Sequence, residues 1–165
     1  AAIAQGEFLC FIDADSRIHP DTFNAIEDAM ASGKTIVGAT GVRIDRWSAG
    51  IFFTWLIAVP IVYLMGVDAG VVFCRRTDFE AVGGYDETLH YAEDIQLLLD
   101  LKRLGRTRGQ GFKRAKRVLA ITSSRKFAKH GDWHYLTMMP RIAFWLLVDR
   151  TRVDAESRAY WYEDR

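Results

Sequence analysis

One run near the start limits the possible folds more than any other. Phe8-Leu-Cys-Phe-Ile12 is apolar throughout, and Asp13-Ala-Asp15 follows at once. Five such residues in a row predict a short strand buried on both faces, the kind found in parallel sheets. Two acids one residue apart have no place inside such a strand, so they belong where it emerges. In open α/β sheets that end of a strand is where ligands bind. In extended chain Asp13 and Asp15 point to the same side and can share one divalent cation. Capping of the next helix by Asp15 or Ser16 is the plainer role, but a cap needs one acid.

With 165 residues, half of them hydrophobic and 13% aromatic, the chain is long enough for one domain with a sizeable core. Its net charge of +1 excludes a general attraction to nucleic acid. Cys10 and Cys74 both fall in apolar, strand-like stretches, which predicts buried thiols in a reducing compartment and no disulfide. The first six residues read as the tail of a helix ending at Gly6.

Further along, Pro20 and Asp21 suit the opening of a helix whose buried stripe is Phe23, Ile26 and Met30 and whose end is Gly33. Thr35–Thr40 reads as a second strand close to the first. Trp47–Val67 then runs 21 residues without a charge, with Pro60 inside it. That length borders on a membrane span. Pro60, the glycines at both ends and the acidic segments on either side favour a buried or interfacial helix pair. Phe52, Phe53, Trp55 and Tyr63 would then be its aromatic anchors at a bilayer surface.

Gly70–Arg75 reads as a third strand, and Thr77-Asp-Phe-Glu80 as a capping box opening a short helix that Gly83-Gly84 stops. Tyr85-Asp-Glu87 follows. Ala92–Leu104 reads as a helix with Ile95, Leu98, Leu99 and Leu101 apolar, ended by Gly105. Glu93 and Asp94 in its first turn complement the helix dipole; an acid there can also project into a cleft and act as a base. Arg106–Arg117 reads as a basic surface loop and Val118–Thr122 as a last strand. Ser123–Lys126 with His130 and Gly131 forms a polar, basic loop, where Arg125 and Lys126 can hold a diphosphate leaving group and His130 is a candidate metal ligand. An aromatic helix, Trp133–Val148, is interrupted by Pro140, and 149–165 is polar.

Three segments, in order, carry a resemblance: the apolar strand ending in Asp13-Ala-Asp15, Val82-Gly-Gly-Tyr-Asp-Glu87, and Glu93-Asp94 at a helix start. Together they resemble the family 2 glycosyltransferases, whose fold is GT-A. Thr122-Ser-Ser-Arg-Lys126 with Gly131 is similar to a downstream segment of some bacterial members. The resemblance implies an α/β fold, a Rossmann-like mixed sheet flanked by helices. It also implies that 1–165 is a single catalytic-domain fragment lacking the N-terminal segment that binds the nucleotide base. Within it, 1–125 would be the α/β core with acceptor-side helices at 47–67, and 126–165 a helical tail.

The implied activity is metal-dependent, inverting transfer of a sugar from a nucleotide-sugar donor to an acceptor hydroxyl, on a carbohydrate or lipid-linked acceptor in cell-envelope synthesis. Asp15 would bind Mn²⁺ or Mg²⁺, and Asp13 would contact the ribose, or the metal through water. Asp94 would be the general base and Glu93 its support. Gly83 and Gly84 would let backbone approach the donor sugar. Arg125 and Lys126 would meet the diphosphate, with His130 a further candidate for the diphosphate or metal. The place of action would be cytoplasmic, at the inner face of the plasma membrane if 47–67 touches it.

Two other classes fit parts of the pattern. An apolar strand followed by Asp-x-Asp also resembles the haloacid dehalogenase phosphatases, with Asp13 as nucleophile, although Arg17 stands where that family wants Thr or Val. A nucleotidyltransferase also uses paired acids on an α/β sheet. Alternatively the chain is a non-catalytic fragment whose working part is the apolar stretch at 51–65, binding a membrane or a partner.

Overall fold

The computed structural model describes residues 1, 3–68, 70–86 and 93–148, with backbone alone for Met65 and 142–148. Glu87, the first residue of the predicted helix at Ala92, and the polar end at 149–165 lie outside the described residues. The fold is mixed α/β. A four-stranded sheet runs in the order β1 (Phe8–Phe11), β4 (Val72–Arg75), β2 (Thr35–Ala39), β5 (Gly111–Arg114). β4 is antiparallel to both β1 and β2, while β2 and β5 are parallel. A smaller sheet pairs β3 (Val42–Ile44) with β6 (Ala120–Thr122) in parallel.

Two helices cover the main sheet. α1 (Thr22–Ala31) packs Ile26, Ala29 and Met30 against Val71 and Phe73. α4 (Glu93–Thr107) packs Leu97, Leu98 and Leu101 on the other face, against Ile36, Val37 and Cys74. Phe73 and Cys74 go to opposite faces because successive strand residues alternate. Each fully buried aliphatic side chain of this kind stabilises the fold by about 1.5–3 kcal/mol.

Several expectations are corrected. β1 is an edge strand with an antiparallel partner, and Leu9 is its one buried residue. Its other side chains are half-buried, Phe8 and Cys10 toward α1 and Phe11 toward α4. β4, not β1, is the neighbour of β2. The described residues before Glu7 form turns and bends, not the end of a helix, and Arg76 Nε donates to the Gly6 carbonyl at 3.0 Å. α1 opens at Thr22, two residues past Pro20, and its buried stripe takes in Thr22 and Ala29 while Phe23 is exposed.

α3 (Arg76–Ala81) begins before Thr77, so Thr77 is a helical residue and no capping box forms. The basic stretch 106–117 contains β5, which sequence reading missed along with β3. Arg114 on β5 loses its isolation by pairing with Asp68 at 2.7 Å and lying 4.5 Å over the Tyr63 ring. The basic loop after β6 is largely a short helix, α5 (Arg125–His130). α6 (His134–Val148) runs on through Pro140, which does not interrupt it. Both cysteines are free; Cys74 is buried, which pushes its thiol up to about 12, whereas Cys10 is half-buried.

Gly105 does not end α4; the helix runs two residues further. A Cβ at Gly105 would lie 2.6 Å from Ile36 Cγ2 and 3.0 Å from the Gln110 carbonyl oxygen, so glycine is what lets α4 sit this close to β2. Alanine gains about 1 kcal/mol of helix propensity, whereas overpacking costs about 1–3 kcal/mol. Gly105→Ala should therefore lower the thermal midpoint. A glycine serving only as a helix end in open solvent would tolerate the change without loss.

The apolar stretch forms one helix, α2 (Ala49–Met65), not a pair. Ser48 caps it, accepting from the Ile51 amide at 3.3 Å. Its inner face, Ile51, Thr54, Trp55, Ala58 and Val62, follows helical spacing and is buried or half-buried. Its outer face is exposed and equally apolar. At 17 residues it is about 25 Å long, short of the hydrocarbon thickness of about 30 Å. Among the described residues no helix is long and apolar enough to cross a membrane.

Candidate active site at the end of the first strand

The chain leaves β1 in a tight turn, with the Ser16 amide donating to the Asp13 carbonyl at 3.0 Å. Asp13 and Asp15 are thus first and third residues of a β-turn, not neighbours along an extended chain, and they meet different surroundings. Arg17 then pairs with Ile121 in an antiparallel bridge, exchanging hydrogen bonds of 2.9 and 2.8 Å. That bridge pins the acidic turn beside β6 and everything that follows β6.

On one side the acids face other acids. The Asp13 carboxyl is pushed above the usual carboxylate range by desolvation, then by the charges of Asp15 and Glu93. Asp94 is pushed up by desolvation and by Glu93 and Asp13, against a hydrogen bond from the Tyr85 hydroxyl that lowers it. Asp13, Glu93 and Asp94 come from a turn after β1 and from the first turn of α4, yet they share one electrostatic environment. Asp13 and Asp94 are exposed and Glu93 is half-buried, and the charges of the acidic turn and of the first turn of α4 act on one another.

Tyr85 joins the two sides, and sequence reading assigned it no part. Its ring meets Phe11 edge-on at 5.1 Å and Phe79 at 5.9 Å, while its hydroxyl bonds Asp94. Burial and the Asp94 carboxylate together raise the phenol well above its ordinary value. Gly83 and Gly84 make the turn that delivers it, at φ +86° and +76°, where a side chain is strained. A Cβ at Gly84 would also stand 3.1 Å from the Phe79 ring, while Gly83 opens to free space. Beyond them lies a hollow of about 740 Å³, lined by Gly83, Gly84, Tyr85, Asp86, Gln96 and Asp100 among others. Neither this hollow nor the one beside Asp15 is lined by Asp13 or Asp94.

On the other side Asp15 meets cations. Arg125 Nη2 lies 4.0 Å from Asp15 Oδ2, and Lys126 is near enough for the Asp15 charge to act on it. Burial and the adjacent Arg125 and Lys129 charges nonetheless lower the Lys126 ammonium from its ordinary value. A hollow of about 280 Å³ opens here, lined by Asp15, Arg17, Asp45, Thr122 and Ser123 among others. Asp45 accepts from the Ser124 amide at 2.9 Å and so fixes the start of α5; the Ser124 hydrogen bonds, the hydroxyl's foremost, hold its carboxyl below the usual range.

His130 sits at the far end of α5, about 7.5 Å along the axis from Arg125, with its ring 5.4 Å from that of His134. Desolvation and the charges of His134, Lys129 and Lys126 lower its pKa. Among the described residues no three His, Cys, Asp or Glu side chains gather closely enough to hold a metal ion by themselves. Two hard carboxylates remain, Asp13 and Asp15. They suit Mg²⁺ or Mn²⁺, which are commonly held by one or two carboxylates together with water and substrate phosphate.

The Tyr85 hydrogen bond gives a pH prediction. Losing it removes the one effect that favours the Asp94 carboxylate, so Tyr85→Phe should raise the Asp94 pKa. Carbon-13 titration of the Asp94 carboxyl should show its midpoint moved to higher pH. An unmoved midpoint would mean that the hydroxyl does not bond that carboxylate in solution.

Comparison with family models, with curated proteins and with solved structures finds no match to this chain.

Proposed function

We propose that this chain transfers a sugar from a nucleotide-sugar donor to an acceptor hydroxyl with inversion, on a fold of the GT-A type used by family 2 glycosyltransferases. The mutual influence of Asp13, Glu93 and Asp94 at the end of β1 carries this reading, together with Arg125 and Lys126 beside Asp15. It divides the site into a base side and a leaving-group side.

On the base side, Asp94 accepts the proton of the acceptor hydroxyl as that oxygen attacks the anomeric carbon. Asp94 is exposed, so an acceptor can reach it, and a carboxyl held above the usual range is a stronger base than an ordinary carboxylate. Tyr85 orients the carboxylate through its hydroxyl, and Glu93 adds negative charge beside it. On the other side the bond from the anomeric carbon to the diphosphate breaks and a nucleoside diphosphate departs. Arg125 and Lys126 stand where they can take up its charge. Asp15 would hold Mn²⁺ or Mg²⁺, and Asp13 would contact the ribose, or the metal through water. When bound, the ion supplies charge neutralisation for the departing diphosphate. Attack from the base side, opposite the leaving group, inverts the anomeric configuration.

The test is a panel of nucleoside-diphosphate sugars with Mn²⁺, read by thermal protection and by release of nucleoside diphosphate in the presence of sugar acceptors. The expected result is protection by at least one donor that requires the metal. Hydrolysis of simple phosphate monoesters with phosphate trapped on Asp13, and no response to any nucleotide sugar, would overturn the reading.

A further inference from the structure

The proposed transfer steps make no use of the outer face of α2, which is apolar and exposed. Phe53, Leu56, Ile57, Ile61 and Leu64 are all exposed, with Leu64 at 85% of its full area. Trp47 and Trp133, both exposed, extend the patch at the α2 N-terminus, where Phe53 stacks on Trp133 with ring centres 5.9 Å apart. Burying this much apolar area is favourable wherever a matching surface exists.

Charge selects among the possible occupants. α5 carries Arg125, Lys126 and Lys129 and no acid, and its Phe127 packs with Ile51 of α2 in one small core. At the other end Lys102 donates to the Gly66 carbonyl at 3.1 Å, and Arg114 lies over Tyr63. Arg114 pairs with Asp68 and, beside the α2 N-terminus, Arg46 pairs with Asp132, so Lys102 at one end and the α5 cations at the other leave both ends of an uncharged helix net positive. A second copy laid along α2, parallel or antiparallel, would set one net positive end against another. Anionic lipid headgroups would meet that charge at both ends while acyl chains took the apolar face. Trp and Tyr at the margins are the residues that settle at such a boundary.

We infer that α2 lies in the surface of an anionic bilayer, its outer face among the acyl chains and Lys129 of α5 at the headgroups. The inference stands on α2 and α5 and does not depend on sugar transfer. It places an activity at this site next to lipid-borne acceptors.

The whole chain should float with vesicles of phosphatidylcholine containing about a third phosphatidylglycerol, and far less with phosphatidylcholine alone. Raising salt to about 0.5 M should weaken flotation, because it screens the headgroup attraction. Leu56→Asp with Ile61→Asp should reduce binding about tenfold or more while leaving circular dichroism unchanged, since both positions are exposed. Lys129→Gln should reduce it about fivefold on anionic vesicles only. If the wild-type chain does not float, the inference fails. It fails equally if light scattering shows a dimer that the Leu56→Asp, Ile61→Asp variant dissolves, which would make a second copy the occupant. Wild-type flotation that the double substitution leaves intact also overturns it, since α2 would then not be the contact. None of these outcomes bears on the donor panel.

Discussion

Asp94→Asn should leave donor binding intact and slow transfer by about 10²- to 10⁴-fold, the usual cost of removing a general base. Equilibrium binding of the donor and single-turnover transfer, measured side by side, separate the two. An unchanged transfer rate would remove Asp94 from the role. The same substitution has a second expected result, on stability. The folded protein holds the Asp94 pKa above its unfolded value, so the folded form binds more protons between the two values. Stability from this group is therefore gained as pH falls through the folded pKa and is missing at neutral pH. An amide carries no charge to be disfavoured there, so Asp94→Asn should melt at a temperature equal to or above that of the wild type at pH 7. A catalytic group kept in place against the interest of the fold gives this combination of lost rate and retained stability.

Asp15→Asn should abolish metal-dependent binding of the nucleotide sugar. An amide oxygen is a neutral, weaker ligand for a hard divalent cation. It also leaves Arg125, 4.0 Å away, without its carboxylate partner. Calorimetry with donor and Mn²⁺ should show heat for the wild type and none for the variant. Retained metal-dependent binding would place the ion elsewhere. Asp15 is exposed and this ion pair is loose, so little stability is expected to change.

The main strands and helices could be read because their signals are local. Phe8–Phe11, Thr35–Ala39 and Val72–Arg75 are apolar runs bounded by turn residues, and α1 and α4 have helical spacing. The Asp13–Asp15 pair stood out because acids at the end of an apolar strand have no structural use. Other features depend on partners distant in sequence. Nothing in Gly111–Arg114 announces a strand until Arg114 finds Asp68 and Tyr63. Tyr85 looks like any core aromatic until its hydroxyl reaches Asp94. Gly105 reads as a helix end because the same residue serves both for ending helices and for close packing, and Ile36 with the Gln110 carbonyl decides which. α2 gave the least reliable signal. Its residues are apolar on every side, so the pattern could not say which face is inside.

The bridge between Arg17 and Ile121 ties the acidic turn to a second support. Through it, the acid proposed for the metal is held by the small β3–β6 ribbon as well as by β1, whereas the proposed base takes its position from α4 and the large sheet. Lesions in the ribbon, such as proline at Ile121, would spoil donor capture and spare the acceptor half. Evolution or engineering could thus retune what is given without disturbing what receives it.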